Sequence, residues 1–153
     1  MRNKRKGFSL IELLIVVAII LILAAIAIPN LLRSKIAANQ ASAVASLRSL
    51  NTSSMLFNTS YSQFPSALSN FATPSSGTVS STAADLIDSV LATGTKSGYS
   101  FSWSGGGTTG QYAITAVPVS TSSGTVYYYT DQSLVIRSNP GAAATSGSLP
   151  IGN

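Results

Sequence analysis

The sequence predicts an α+β protein, in which a long N-terminal α-helix packs by its second half on a small antiparallel β-meander. Three observations predict this. Residues 8–28 are apolar throughout except for Ser9 and Glu12. Beyond them, Ile36, Ala43, Leu50 and Phe57 recur every seven residues, with Leu47 on the same helical face. From Tyr99 the period changes to two, as Tyr99, Phe101 and Trp103 alternate with serine.

Composition narrows the function. The chain has 153 residues, which favours one domain with a small core. Only 8% of its residues are charged, against roughly 25% in ordinary soluble domains. Nine basic and four acidic residues give a net charge of +5. Four of the basic ones are Arg2, Lys4, Arg5 and Lys6, so the remainder carries only +1. Phosphate binding needs Lys and Arg clustered on a folded face, so no specific nucleic-acid partner is expected. The sequence contains no Cys and no His. Zinc, thiol and Ser–His–Asp chemistries each lose an essential member, so neither catalysis nor a cofactor is expected.

The N-terminus joins a basic start to the apolar run. About twenty apolar residues in a helix match the ~30 Å hydrocarbon core of a bilayer. Basic residues before such a run favour a cytoplasmic N-terminus and an external C-terminal domain. A secretory signal peptide fits less well, because its apolar region is only about 7–15 residues long. A plain membrane anchor fits the length but leaves Glu12 unexplained. A carboxylate within a membrane helix costs roughly 2.5–3.5 kcal/mol on insertion scales.

Gly7, Phe8, Ser9, Leu10, Ile11 and Glu12, followed by an unbroken apolar helix and Pro29, resemble the precursor signature of type IV pilins and type II secretion pseudopilins. The resemblance covers residues 1 to about 36. It implies a leader, residues 1–7, that a prepilin peptidase removes between Gly7 and Phe8, with methylation of the new Phe8 amine. It implies a helix, residues 8–29, that waits in the lipid bilayer of the inner membrane. An assembly platform with a cytoplasmic ATPase would then extract it into a homopolymer whose core is a bundle of such helices. The residues suit these steps. Gly7 has no Cβ to hinder an extended backbone in a protease cleft. Cleavage would leave one cationic amine, and Glu12 would take the Phe8 amine of a neighbouring subunit as counter-ion. Opposite charges buried together cost far less than either alone, so the pair would set axial register.

Pro29 has no N–H and interrupts helix continuity. It either ends the membrane helix or kinks it, and the helical pattern beyond it favours a kink. Residues 30–59 form the amphipathic second half, and a helix from 8 to about 59 would be ~75 Å long. Its first half has nothing in its own chain to pack against, so lipid or other subunits must cover it.

Residues 60–153 make up the expected extracytoplasmic domain. Residues 60–82 read as a connecting region, with Pro65, Pro74 and Gly77. Residues 83–92 read as a short helix with Thr82 as N-cap and Asp85 near its positive end. Asp85 and Asp88 would share a face, but with only Asp131 to add they supply too few oxygens for calcium, and no metal is expected. Strands are expected at 99–103, 112–117, 126–130 and 134–137. From Asn139 onward a loose tail is expected.

Gly105, Gly106 and Gly107 read as a hairpin loop, because a phosphate loop would need a following Lys-Ser/Thr and a helix. Tyr127, Tyr128 and Tyr129 read as ordinary strand residues facing alternate sides. Asn51 and Asn58 each begin a short glycosylation-type sequon. Residues 129–137 bear a looser resemblance to C-terminal domains of short pilin-like proteins and the major pseudopilin. Many pilins close this region with a disulfide, which a chain without Cys replaces by strand pairing and neighbours. The expected function is a structural type IV pilus subunit. The alternatives are a major-type secretion pseudopilin in a short periplasmic pseudopilus and a single-pass anchored binding module.

Overall fold

A computed structural model describes residues 7–75, 77–107 and 110–152. These fall into two units that divide after Lys35. Helix α1, Leu10–Tyr61, runs through the division and contains Pro29. The sequence expectation of a helix ending near 59 is met within two residues.

In the first unit, the large apolar side chains from Phe8 to Ile28 are all exposed, by 47% to 84%. The mean hydropathy reaches 3.3 over an 18-residue window. Such a helix is stable only when lipid or protein covers it, since apolar area in water costs about 25 cal/mol per Å².

In the second unit the seven-residue stripe does what its spacing requires. Ala43, Leu47, Leu50 and Phe57 are buried, and Ile36 is half-buried. They meet a sheet of six strands in sequential, antiparallel order. These are β1 (Thr95–Lys96), β2 (Tyr99–Gly105), β3 (Tyr112–Pro118), β4 (Val126–Asp131), β5 (Arg137–Pro140) and β6 (Leu149–Pro150). Tyr99 and Phe101 of β2, Tyr112, Ile114 and Ala116 of β3, and Tyr128 of β4 point into the core. Their neighbours face outward, as a one-sided sheet demands. The expected α+β architecture is present.

Four local expectations are corrected. The helix expected at 83–92 shrinks to α2, Ser89–Ala92, capped by Asp88 rather than Thr82. The Asp88 carboxylate accepts from Leu91 N and pairs with Lys96 Nζ at 2.8 Å. The backbone of residues 84–86 instead donates to the carbonyls of Asn70, Ala72 and Phe71, and Asp85 has φ 53°. The connecting region thus holds a 3-10 turn, Leu68–Phe71, whose Phe71 is fully buried. Burying that aromatic and pairing these backbone groups outweighs the local helix propensity of 83–88.

The strand expected at 134–137 lies instead at 137–140, in register Tyr129↔Arg137 and Val126↔Pro140. A turn at 132–133 is followed by Leu134 with φ 62°, which delays the return of the chain. Two short strands, β1 and β6, were not expected. Finally, residues 139–152 are not a loose tail in this structure. Asn139 and Pro140 pair with β4, Leu149 and Pro150 pair with β5, and Ile151 N donates to Ile136 O at 2.9 Å.

The glycine run lies at the β2–β3 turn, as expected, and a bridge joins Gly107 to Phe64. Gly106 has φ 90°, and a Cβ there would strike the Pro65 carbonyl, so only glycine fits.

Candidate functional site

The residues singled out at the N-terminus sit at the start of α1. Gly7 is exposed and non-helical, and no atom crowds its Cα. Phe8 is 84% exposed. Ser9 is the residue before the helix, and its carbonyl accepts from Leu13 N at 3.2 Å. The Glu12 carboxylate accepts a hydrogen bond from Ser9 N at 2.8 Å.

This last bond lies outside the sequence expectations, although its signal is plain. Ser9-Leu10-Ile11-Glu12 has the S-x-x-E spacing of a capping box ahead of an apolar run. The glutamate, three residues beyond the serine, reaches back to an N–H that the helix leaves without a partner. Its negative charge also lies at the positive end of the helix dipole. Glu12 therefore has a role within one chain. Its presence in an apolar run does not by itself demand a partner from another copy.

Pro29 is separate from this group and lies inside α1. The α-helix continues past it to Tyr61. Proline cannot donate to the carbonyl four residues before it. Around it, side chains bond the backbone: Asn30 Nδ2 donates to Ile26 O at 3.1 Å, and Ser34 Oγ donates to Asn30 O at 3.0 Å. Such back-bonding competes with the helix ladder and softens it locally.

The acidic residues considered for calcium do not converge. Asp85 accepts from Thr73 Oγ1 at 2.7 Å, Asp88 is taken by Lys96 and Leu91 N, and Asp131 accepts from Ser133 N. Hydrogen bonding to Lys96 holds the Asp88 carboxyl below its ordinary value. The pair is exposed and adds little stability. Of the two sequons, Asn51 is closed by the fold. Its side chain is buried and donates to Thr130 Oγ1 at 3.0 Å and Leu134 O at 3.1 Å.

Comparison with known proteins points to the same N-terminal residues. A family model described as the prokaryotic N-terminal methylation motif matches residues 2–28. The type IV major pilin protein PilA of Myxococcus xanthus is 50% identical over 54 residues, 35% of this chain and 24% of that protein. The type IV wide pilus major component PilA4 of Thermus thermophilus is 69% identical over 39 residues, 26% of this chain and 29% of that protein. The chain spans about a quarter of the length of the curated relatives it matches, 24% and 29%. The N-terminal segment thus matches the prokaryotic N-terminal methylation motif, and part of the chain is similar to two type IV major pilus components.

Proposed function

We propose that this chain is a structural subunit of a type IV pilus, cut between Gly7 and Phe8, methylated on Phe8 and polymerised through its N-terminal helix. The observation that carries the reading is a helix segment with every large apolar side chain exposed, within the residues that match the N-terminal methylation motif. In the precursor that segment is covered by lipid. In the filament it is covered by the same segment of other copies.

Removal of the leader takes away Arg2, Lys4, Arg5 and Lys6 and creates one cation at Phe8. That amine then neutralises Glu12 of a neighbour and sets the register of the stack. Pro29, with the back-bonded Asn30 and Ser34 beside it, is the point at which the helix bends on passing from membrane to filament. The partners of this cycle are a prepilin peptidase and methylase, an inner-membrane platform and a cytoplasmic ATPase. The precursor sits in the inner membrane with a cytoplasmic N-terminus. Both relatives are named as major pilus components, which favours the pilus over the secretion pseudopilus.

The test is the mass of the N-terminal peptide in material sheared from the cell surface. A peptide that begins at methylated Phe8 and is abundant there is the expected result. The same peptide confined to membranes favours the pseudopilin. A mature protein that keeps residues 1–7 overturns the filament reading in favour of the anchored module.

A further inference from the structure

The second unit carries an apolar groove of about 640 Å³ between the last turns of α1 and the segments around Leu134–Ile136 and Ile151. Its helical wall is Arg48, Thr52, Met55, Leu56 and Thr59. Met55 and Leu56 are 43% and 53% exposed, and Leu134 and Val135 opposite them are also exposed. Arg48 is the charged residue of the lining, and its guanidinium has no hydrogen-bond or ion-pair partner among the described residues.

The same chain contains a segment that matches this wall. Glu12, Val16, Ile19, Ile20 and Leu23 have the identical spacing of i, i+4, i+7, i+8 and i+11, so they too form one helical face. The wall begins with a cation and the segment begins with an anion. Both continue with side chains suited to apolar packing, and those of the segment are 47% to 62% exposed. Copies inserted behind the same basic leader point the same way, so the two helices meet in parallel.

We propose that the groove receives the apolar helix of a second copy, with that copy's Glu12 beside Arg48, its Ile19 beside Met55 and its Ile20 beside Leu56. The inference rests on polymerisation through residues 8–28 and adds the surface that receives them. A carboxylate accepts about four hydrogen bonds. The bond from Ser9 N uses one, which leaves room for both a guanidinium and an amine from different copies.

The absence of Cys makes the full-length chain suited to disulfide mapping. In an Ile19→Cys, Met55→Cys chain a link within one copy leaves a monomer, so linked multimers report contact between copies. The control is Ile19→Cys with Val90→Cys, since Val90 is 54% exposed but belongs to α2. Sheared filaments should show a ladder of linked multimers for the first pair and not for the control. Arg48→Glu should lower that linkage about tenfold and Arg48→Lys should keep most of it, as expected for a buried charge pair. Filaments that form with linkage no higher than the control overturn the groove proposal alone. A chain without these substitutions that yields no filaments overturns polymerisation as well.

Discussion

Asn51 of α1 and Thr130 of β4 are joined through their side chains in the interior, Nδ2 to Oγ1 at 3.0 Å, and both residues are buried. The same amide also holds Leu134 O at 3.1 Å. One side chain thus ties the helix to a strand and to the loop that follows it. Substitution Asn51→Leu leaves a hydroxyl and a carbonyl without partners, at about 1–3 kcal/mol for each buried group. We expect a loss of about 2–4 kcal/mol in denaturant titrations of the full chain in detergent. Thr130→Val should cost less, because Asn51 keeps its bond to Leu134. Peptide mass mapping should find no glycan on Asn51.

Tyr99 and Gly124 form a second close relationship. The Tyr99 hydroxyl donates to Val126 O at 2.8 Å and so holds the ring against Gly124, where a Cβ would collide with it. Gly124→Ala should therefore destabilise by about 1–3 kcal/mol, in the range of core overpacking. The companion variant Tyr99→Phe should recover part of this loss in Gly124→Ala, because the colliding oxygen is gone.

Burial of Tyr99 also raises its hydroxyl from 10.0 to about 12. Between these values the unfolded chain gives up a proton that the folded chain keeps. Stability is therefore full below pH 10.0 and falls as pH rises toward about 12. The slope from this one group is at most about 1.4 kcal/mol per pH unit. Thermal melts should fall steeply above pH 10.0, and Tyr99→Phe should flatten the fall. Some slope should remain, since burial raises Tyr112 and Tyr128 as well.

The two roles of Glu12 can be separated. Glutamine still accepts from Ser9 N as a capping residue but carries no charge. Under the charge-pair reading, Glu12→Gln leaves precursor levels in the membrane unchanged and removes filaments from the sheared fraction. Glu12→Leu should do the same, with easier insertion by roughly 2.5–3.5 kcal/mol. Normal filaments from Glu12→Gln would leave only the capping role.

The long-range plan of this protein is legible because it is written in periods. The stripe through Leu47, Leu50 and Phe57 and the alternation at Tyr99, Phe101 and Trp103 follow from which face must be buried. Sequence reasoning fails where partners distant in sequence decide. Residues 83–88 have a respectable helix composition, yet the N–H groups of 84–87 are claimed by carbonyls at 70–72. The start of β5 depends on the φ 62° of Leu134, a conformation that nothing in a leucine announces. The C-terminal segment has the composition of a loose tail because it lacks apolar runs, while its order comes from short pairings with β5. At the candidate site, Gly7, Phe8 and Glu12 are visible as a motif. The bond from Ser9 N to the Glu12 carboxylate is equally visible in the S-x-x-E spacing, but a carboxylate in an apolar run directs attention to partners outside the chain.

The strictly sequential sheet has a kinetic consequence. Each strand from β1 to β6 pairs only with its neighbours along the chain, so every rung closes a short loop. Loop-closure cost is therefore met in small steps, hairpin by hairpin. The long closures are those between helix and sheet, such as Asn51 Nδ2 to Thr130 Oγ1, 79 residues apart. Refolding should then divide into fast zipping of the sheet and a slower docking of α1. In a cell, this places the adhesion of sheet to helix last, after the helix has already taken its position.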